Sequence, residues 1–364
     1  MNINKKPKVA IVGAGVFGTN IALALDSFCE VTLFEKNADI LQEGTRVNQF
    51  RHHYGYHYPR SGETVVDVQR SLKAFEDLYE DAIVRDTPTY YAIAKEGSHI
   101  TSTEFTTFCD TYNLPYEEAH IDDFNPAAVQ GIVKVPEPSY HYEKLAEMVK
   151  EKLQNTKNVS VRCGQKITAL TVTDTGKKEL QVANEDSEIT IDEYDFVINA
   201  TYSSINNFTK MGSFPVVPIR IDLTEVLIVS VPIEPISLTV LDGPFATLMP
   251  TGNPHEFTLY HAKESILKRY TPQDGLVSQN DECVSNEESI LCESLKLFPA
   301  LEKATVVESR YLHRAVQAQS ESDDNRVAEI IPHGSGCWSV LSGKIVSSVY
   351  VAEKFSQIIA AELE

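Results

Sequence analysis

Lys8-Val9-Ala10-Ile11-Val12-Gly13-Ala14-Gly15-Val16-Phe17-Gly18 is the stretch whose reading decides the fold. Val9 to Val12 form an unbroken apolar run, which suits a strand buried on both faces of a parallel sheet. The run meets G-x-G-x-x-G, in which each glycine has its own task. Gly13 permits the tight turn out of the strand, Gly15 leaves the backbone open to a diphosphate, and Gly18 lets the next helix lie close to the strand. Thr19 to Ser27 reads as that helix, with Ile21, Ala22 and Leu25 on its apolar side. Its N-terminus offers N–H groups and a partial positive charge to an anion. Glu30 to Phe34 reads as a second strand, ended by Glu35. Glu35 follows Gly18 at close to the spacing of about 20 residues expected of an acid that takes ribose hydroxyls. Strand, glycines, helix, strand and acid in this order predict a bound adenine dinucleotide. An acid at 35 argues against a 2′-phosphate.

The chain has 364 residues, enough for two domains or one large interrupted domain. Its 42% hydrophobic content supports a globular core. The net charge of −20 argues against nucleic acid or an anionic membrane as partner, since both need a basic surface. The acidic runs Glu117-Glu118, Asp122-Asp123 and Asp281-Glu282 read as solvated surface. No apolar stretch is long enough to span a membrane, so no span is expected. The six cysteines (Cys29, Cys109, Cys163, Cys283, Cys292 and Cys337) lie far apart with no C-x-x-C. That usage suits a reduced cytoplasmic protein and suggests no metal site.

The segment from Gly44 to Ser61 has neither a helical nor a clean strand period. Arg46, Arg51, Arg60, His52, His53, His57, Tyr54, Tyr56 and Tyr58 crowd into it. Cationic and aromatic groups at this density suit a loop lining a pocket for an anionic or planar ligand, although Tyr54, Tyr56 and Tyr58 would also suit one face of a strand. Helices are expected over 63–81, 103–112 and 142–153, and strands over 89–94, 158–163 and 167–173, with a Pro/Glu-rich connector running to Pro138. A hairpin over 180–191 follows, and then an apolar strand over 195–201 that returns the chain to the dinucleotide sheet. From Ile219 strands dominate (223–231, 237–241, 246–250, 256–262 and 308–318), interrupted by a helix over 286–297. A strand over 327–331, a glycine loop over 332–338 and a helix over 342–363 close the chain.

A glycine loop feeding a terminal helix suggests a second anchor for the cofactor, which a flavin needs because its ring lies far from the adenine. A helix N-terminus at the ring would stabilise the negative charge of the reduced form. Gly334, Gly336, Ser342, Gly343 and Lys344 are expected to serve there. The expected fold class is α/β. A discontinuous Rossmann-like FAD-binding domain (1–60, 140–210 and 325–364) carries an inserted, largely antiparallel β substrate domain (61–139 and 211–324).

VAIVGAGVFG with Glu35, NQFRHHYGYHYPRS at 48–61, DFVINAT at 195–201 and HGSGCWSVLSGK at 333–344 together resemble the FAD-dependent oxidoreductases of the D-amino acid oxidase type. That superfamily includes glycine and sarcosine oxidases and 2-hydroxyglutarate oxidases. The resemblance implies FAD as cofactor, hydride transfer to flavin N5 from a C–H beside an amine or hydroxyl, and electrons passed on to oxygen or another acceptor. It implies cofactor contacts from Gly13, Gly15, Val16, Phe17, Gly18, Glu35, Lys36, Arg46, Asn48, Ala200, Gly334, Gly336, Ser342, Gly343 and Lys344. Non-covalent FAD is expected, with Cys337, His52 and His53 the alternatives for attachment. His53 or His57 would take the substrate proton, since histidine titrates near neutrality. Tyr58 and Tyr260 would orient the substrate, and Lys263 would activate oxygen. A small anionic substrate needs a fixed cation, for which Arg60, Arg310, Arg314 and Arg326 are candidates and Arg314, on a strand of the antiparallel domain, stands first. Asp323, Asp324 and Arg326 read equally as a solvated turn. The His/Tyr/Arg loop is richer than the small-residue loop of many relatives, which leaves the substrate open. Competing readings are an NAD(P)H-dependent flavin monooxygenase, an NAD-dependent dehydrogenase and a flavin-binding protein without turnover.

Overall fold

A computed structural model describes residues 6–184, 186–272, 277, 283–318 and 326–364. Asp281, Glu282, Asp323 and Asp324 lie outside them. Val9–Val12 belong to the strand Lys8–Val12, at the centre of a six-stranded sheet. Its order is Glu329–Gly334, Cys337–Leu341, Phe196–Asn199, Lys8–Val12, Glu30–Phe34, Val159–Arg162. All pairings are parallel except the outer hairpin of Glu329–Gly334 with Cys337–Leu341. The unbroken apolar run has a direct explanation, because successive side chains point to opposite faces. Val9 and Ile11 pack with the helices Val16–Leu25 and Ser347–Glu362, against Ile21, Ala22, Leu25, Phe355 and Ile359. Ala10 and Val12 face a three-stranded meander (Lys166–Val172, Lys178–Ala183, Ile189–Tyr194) through Ile167, Leu170, Leu180 and Val182. Gly18 is what allows the first helix to sit so close. A Cβ there would lie 2.0 Å from the Gly13 carbonyl oxygen. Gly13 itself turns the chain at φ +100°.

A second, nine-stranded sheet is built from 89–135 and 219–317. Its pairings are antiparallel except that of Ser237–Leu241 with Thr89–Ala94. The helix Ser102–Thr111 begins with a capping box between Thr101 and Glu104 and buries Phe105 and Phe108 against Tyr91, Ile93 and Val133.

Four expectations need correction. The connector expected before Pro138 contains the strands Glu117–Ala119 and Val129–Val135; Gly131 and the flanking prolines hid them. The strand Ile266–Tyr270 was not foreseen, because it is an edge strand with exposed Lys268 and Arg269. The segment 332–338 is the tip of a β-hairpin, with Gly334, Ser335 and Gly336 at φ +80°, +50° and +69°. Its glycines serve the turn. The last helix begins at Ser347, so Ser342 to Lys344 form a separate connection before it.

Candidate active site

The parallel strands Lys8–Val12, Glu30–Phe34, Phe196–Asn199 and Cys337–Leu341 all end at one cavity of about 580 Å³, between the two sheets. Gly13, Glu35, Ala200 and Ser342, at or just after the strand ends, line it. This is where open parallel sheets place ligands, because strand ends and helix N-termini converge there. The first helix starts at Val16 with Gly15 as N-cap, and no side chain caps that N-cap. Instead the Val16 N–H donates to Thr45 Oγ1 at 3.1 Å. The buried Glu35 carboxylate is fixed by the N–H groups of Ala14 (2.9 Å) and Asn37 (2.9 Å). A Cβ on Gly15 would meet only Thr45 Oγ1, at 3.7 Å, so this glycine is not demanded by the fold. An open helix N-terminus, a glycine without a structural duty and an anchored acid fit the diphosphate and ribose of a dinucleotide.

Of the residues expected at the site, the structure brings Gly13, Gly15, Val16, Phe17, Glu35, Lys36, Asn48, His53, His57, Tyr58, Ala200, Arg314, Ser342, Gly343 and Lys344 to this cavity, together with Arg60, Arg326 and Tyr260. The others lie elsewhere. Gly18 is inside the first helix. Arg46 turns toward Glu308 (3.8 Å), and Arg310 pairs with that same acid at 2.8 Å. Lys263 is exposed and pairs with Glu264 at 2.8 Å. Gly334 and Gly336 sit at the opposite end of the sheet, because the strand that follows them runs parallel to its neighbours and ends at the cavity only at Leu341. Cys337 is buried at that far end, against Val197 and Leu180, and burial pushes its thiol up to about 11. His52 turns away to Glu76 (3.0 Å) and stacks on Phe75.

Among the described residues, six buried side-chain atoms lining the cavity have no hydrogen-bond partner: His53 Nδ1, His57 Nδ1, Gln165 Oε1, Asn207 Oδ1, Tyr260 Oη and Arg314 Nε. Buried polar groups are ordinarily bonded, so six orphans around one cavity mark a place for a polar ligand. Burial, with the nearby charges of Lys344 and Arg51, holds both His53 and His57 well below the ordinary imidazole range. Both rings are therefore neutral near pH 7, and each keeps a nitrogen able to accept a proton. Tyr58 Oη lies 3.5 Å from His53 Nε2, and the Lys344 ammonium lies 4.5 Å from the Tyr58 ring centre.

At the antiparallel side Arg314 donates from Nη2 to Asp222 (2.9 Å) and lies 5.9 Å from the Tyr260 ring centre. Asp222 is fully buried. Burial alone would raise its pKa, but hydrogen bonds and charge from Arg269, Arg314 and Arg220 hold it down at about 2. Arg220 and Arg269 line the same cavity. Sequence reasoning missed Asp222, Arg220 and Arg269, and also Thr45, Gln165 and Asn207. It missed as well the role of Arg51, which is buried among Tyr91 Oη, Glu137 Oε2 (3.4 Å) and Thr239 Oγ1 (2.5 Å). Glu137 in turn accepts from the Tyr54 N–H at 2.7 Å, so this buried pair pins the His/Tyr/Arg loop to the second sheet. Arg51 stood in the crowded loop, but nothing in the sequence marked Glu137 as its partner.

Among the described residues no cluster of three or more His, Cys, Asp or Glu could hold a metal, and no helix is long and apolar enough to cross a membrane. The family described as FAD dependent oxidoreductase (DAO) matches residues 8–341. The FAD-dependent monooxygenase FPY4 of Fusarium mangiferae is 24% identical, over 97% of this chain and 91% of that protein. Among solved structures, the fold resembles glycine oxidase from Geobacillus kaustophilus, with a TM-score of 0.74 at 14% identity over 98% of this chain and 94% of that one. It also resembles FAD-bound, dithionite-reduced L-alpha-glycerophosphate oxidase from Mycoplasma pneumoniae, with a TM-score of 0.74 at 12% identity over 98% and 95%.

Proposed function

The chain belongs to the DAO family of FAD-dependent oxidoreductases, and on that premise we propose that it oxidises a C–N or C–O bond of a small carboxylate-bearing substrate. FAD, when bound, supplies the chemistry by accepting a hydride from the substrate carbon. The remaining work falls to the residues of this chain. The backbone from Gly13 to Phe17 would hold the diphosphate at the first helix N-terminus, and Glu35 the ribose hydroxyls. Lys36, Thr45, Asn48 and Ala200 would border the same dinucleotide. Ser342, Gly343 and Lys344 would lie toward the ring, where the Lys344 ammonium stabilises added negative charge.

Arg314 would bind the substrate carboxylate. Asp222 takes only one of its nitrogens, and Nε remains buried without a partner. A charge-assisted bond to a carboxylate would satisfy it. His53 or His57 would receive the proton released from the substrate amine or hydroxyl, since both are held neutral and each has a buried, unbonded Nδ1. Tyr260 and Tyr58 would orient the substrate from either side. The buried atoms among these groups interact more strongly than they would in bulk water. The observation that carries the reading is the gathering of orphaned polar atoms of Arg314, Tyr260, His53 and His57 around a single cavity.

The name of the FPY4 relative supports a second reading, a monooxygenase whose flavin is reduced by NAD(P)H. Anaerobic spectroscopy of the flavin-loaded protein separates the two. Bleaching by a member of a panel of amino acids, N-methyl amino acids or 2-hydroxy acids, with none by NADH or NADPH, supports the proposal. Bleaching by a nicotinamide alone replaces it with the second reading.

A further inference from the structure

In its N-terminal half the strand Ile219–Ser230 runs between two neighbours, Ile266–Tyr270 and Thr305–Gln317. Register sets Asp222 opposite Arg269 on one side and opposite Arg314 on the other. Arg220 lies two residues earlier, on the same face of the strand. The Asp222 carboxylate consequently accepts four N–H groups from the described residues. Oδ1 takes Arg220 Nε (3.1 Å) and Arg269 Nε (2.9 Å), while Oδ2 takes Arg269 Nη2 (3.3 Å) and Arg314 Nη2 (2.9 Å). A carboxylate has about four acceptor sites, so Asp222 has none to spare for a ligand. Its part is to fix the guanidinium groups around it. Arg269 and Arg314 meet on one oxygen atom and therefore lie side by side. Both line the cavity, Arg314 toward the interior with 31% of its side chain exposed and Arg269 toward the mouth with 47%. Together with Arg220 they share one carboxylate, an arrangement able to take further negative charge from a ligand.

We propose that Asp222 is a positioning residue that sets Arg314 and Arg269 as a two-point reader for a substrate carrying two carboxylates. The inference rests on the reading of the cavity as a carboxylate site and adds its charge class. Arg314 holds the carboxylate next to the reacting carbon, and Arg269 receives the second one at the mouth. A short dicarboxylate spans two guanidinium groups anchored to the same oxygen. A monocarboxylate brings the pair a single negative charge, a dicarboxylate two.

The test uses the FAD-loaded protein titrated with succinate and with propionate, which is succinate with its second carboxylate replaced by hydrogen, read through the flavin absorption spectrum. Succinate is expected to bind at least tenfold more tightly than propionate. Arg269→Gln should abolish most of that preference and leave propionate binding within about twofold. Asp222→Asn should weaken both ligands, and adding Arg269→Gln to it should cost succinate little more, because the two residues act as one unit. Should Asp222→Asn not fold with three arginines left uncompensated, Arg269→Gln still decides the matter, since that side chain is half exposed. Equal binding of the two acids by the parent protein overturns the two-point reader and leaves the carboxylate reading standing. A spectrum that responds to neither acid overturns both. A preference for succinate that survives Arg269→Gln unchanged overturns the assignment of the second point. A purely structural role for Asp222 would lower flavin content and thermal stability without moving the succinate-to-propionate ratio.

Discussion

Gly15→Ala separates what the fold needs from what the cofactor needs. At this position the backbone has φ −70° and ψ 177°, a conformation open to any residue, and the new methyl would meet only Thr45 Oγ1 at 3.7 Å, an ordinary contact. The folded chain should therefore tolerate the change. A Gly→Ala substitution at a compatible backbone position shifts stability by less than about 1 kcal/mol, which for a chain of this size is about 2–4 °C or less in melting temperature. The diphosphate is a different matter, because the methyl would occupy the line of closest approach to the backbone. Overpacking by a methyl costs about 1–3 kcal/mol, or roughly a 5- to 150-fold loss of FAD affinity. Gly18→Ala is the control. Its Cβ would stand 2.0 Å from the Gly13 carbonyl oxygen, so helix and strand must part and both stability and flavin retention should suffer. The assay is FAD binding by fluorescence quenching alongside thermal unfolding of the apoprotein. A Gly15→Ala protein that melts normally and binds FAD with unchanged affinity would refute the placement of the diphosphate.

Arg314→Met should raise KM for the oxidised substrate by about ten- to hundredfold, which is the loss of a charged hydrogen bond of about 1.5–3 kcal/mol, with kcat less affected. An unchanged KM in steady-state kinetics removes Arg314 from the site. The histidines make stability pH-dependent. His53 and His57 titrate well below their ordinary value when folded, whereas in the unfolded chain they titrate near 6.5. As pH falls below about 6.5 the unfolded chain takes up protons that the folded one refuses, so their contribution to stability is lost on the acid side and regained as pH rises. Melting temperatures recorded from pH 7 to pH 5 should fall more steeply for the parent than for His53→Asn with His57→Asn; identical slopes would contradict the neutral assignment.

How far the sequence could be read followed the range of the interactions. The dinucleotide unit is local. Val9 to Val12, the three glycines and Glu35 fall within one βαβ segment, and the structure sets Glu35 under the Ala14 N–H at the border of the cavity. The His/Tyr/Arg loop announced itself by composition, but composition could not say that His52 turns to Glu76 while His53 and His57 face the cavity. Asp222, Arg269 and Arg314 are gathered by cross-strand register, and register is invisible until the pairing of strands is known. The resemblance implies a lysine near the flavin, with Lys263 at the end of a strand to fill that place, yet the turn after that strand carries it out to solvent beside Glu264. Gly334 and Gly336 read as a cofactor loop because they precede the terminal helix and stand in the motif HGSGCWSVLSGK. Their positive φ angles belong to a hairpin at the far end of the sheet, and strand direction then decides that Ser342 to Lys344 reach the cavity and the glycines do not.

In the proposed function the cavity between the two sheets holds a carboxylate-bearing molecule for oxidation by the bound flavin. The most direct measurement is the anaerobic rate of flavin bleaching in a stopped-flow instrument, comparing the acid found to reduce the flavin with its own methyl ester. Loss of the negative charge at constant reacting carbon should slow reduction at low substrate concentration by at least tenfold in the parent protein and by far less in Arg314→Met. Equal rates for acid and ester in the parent protein would contradict the account.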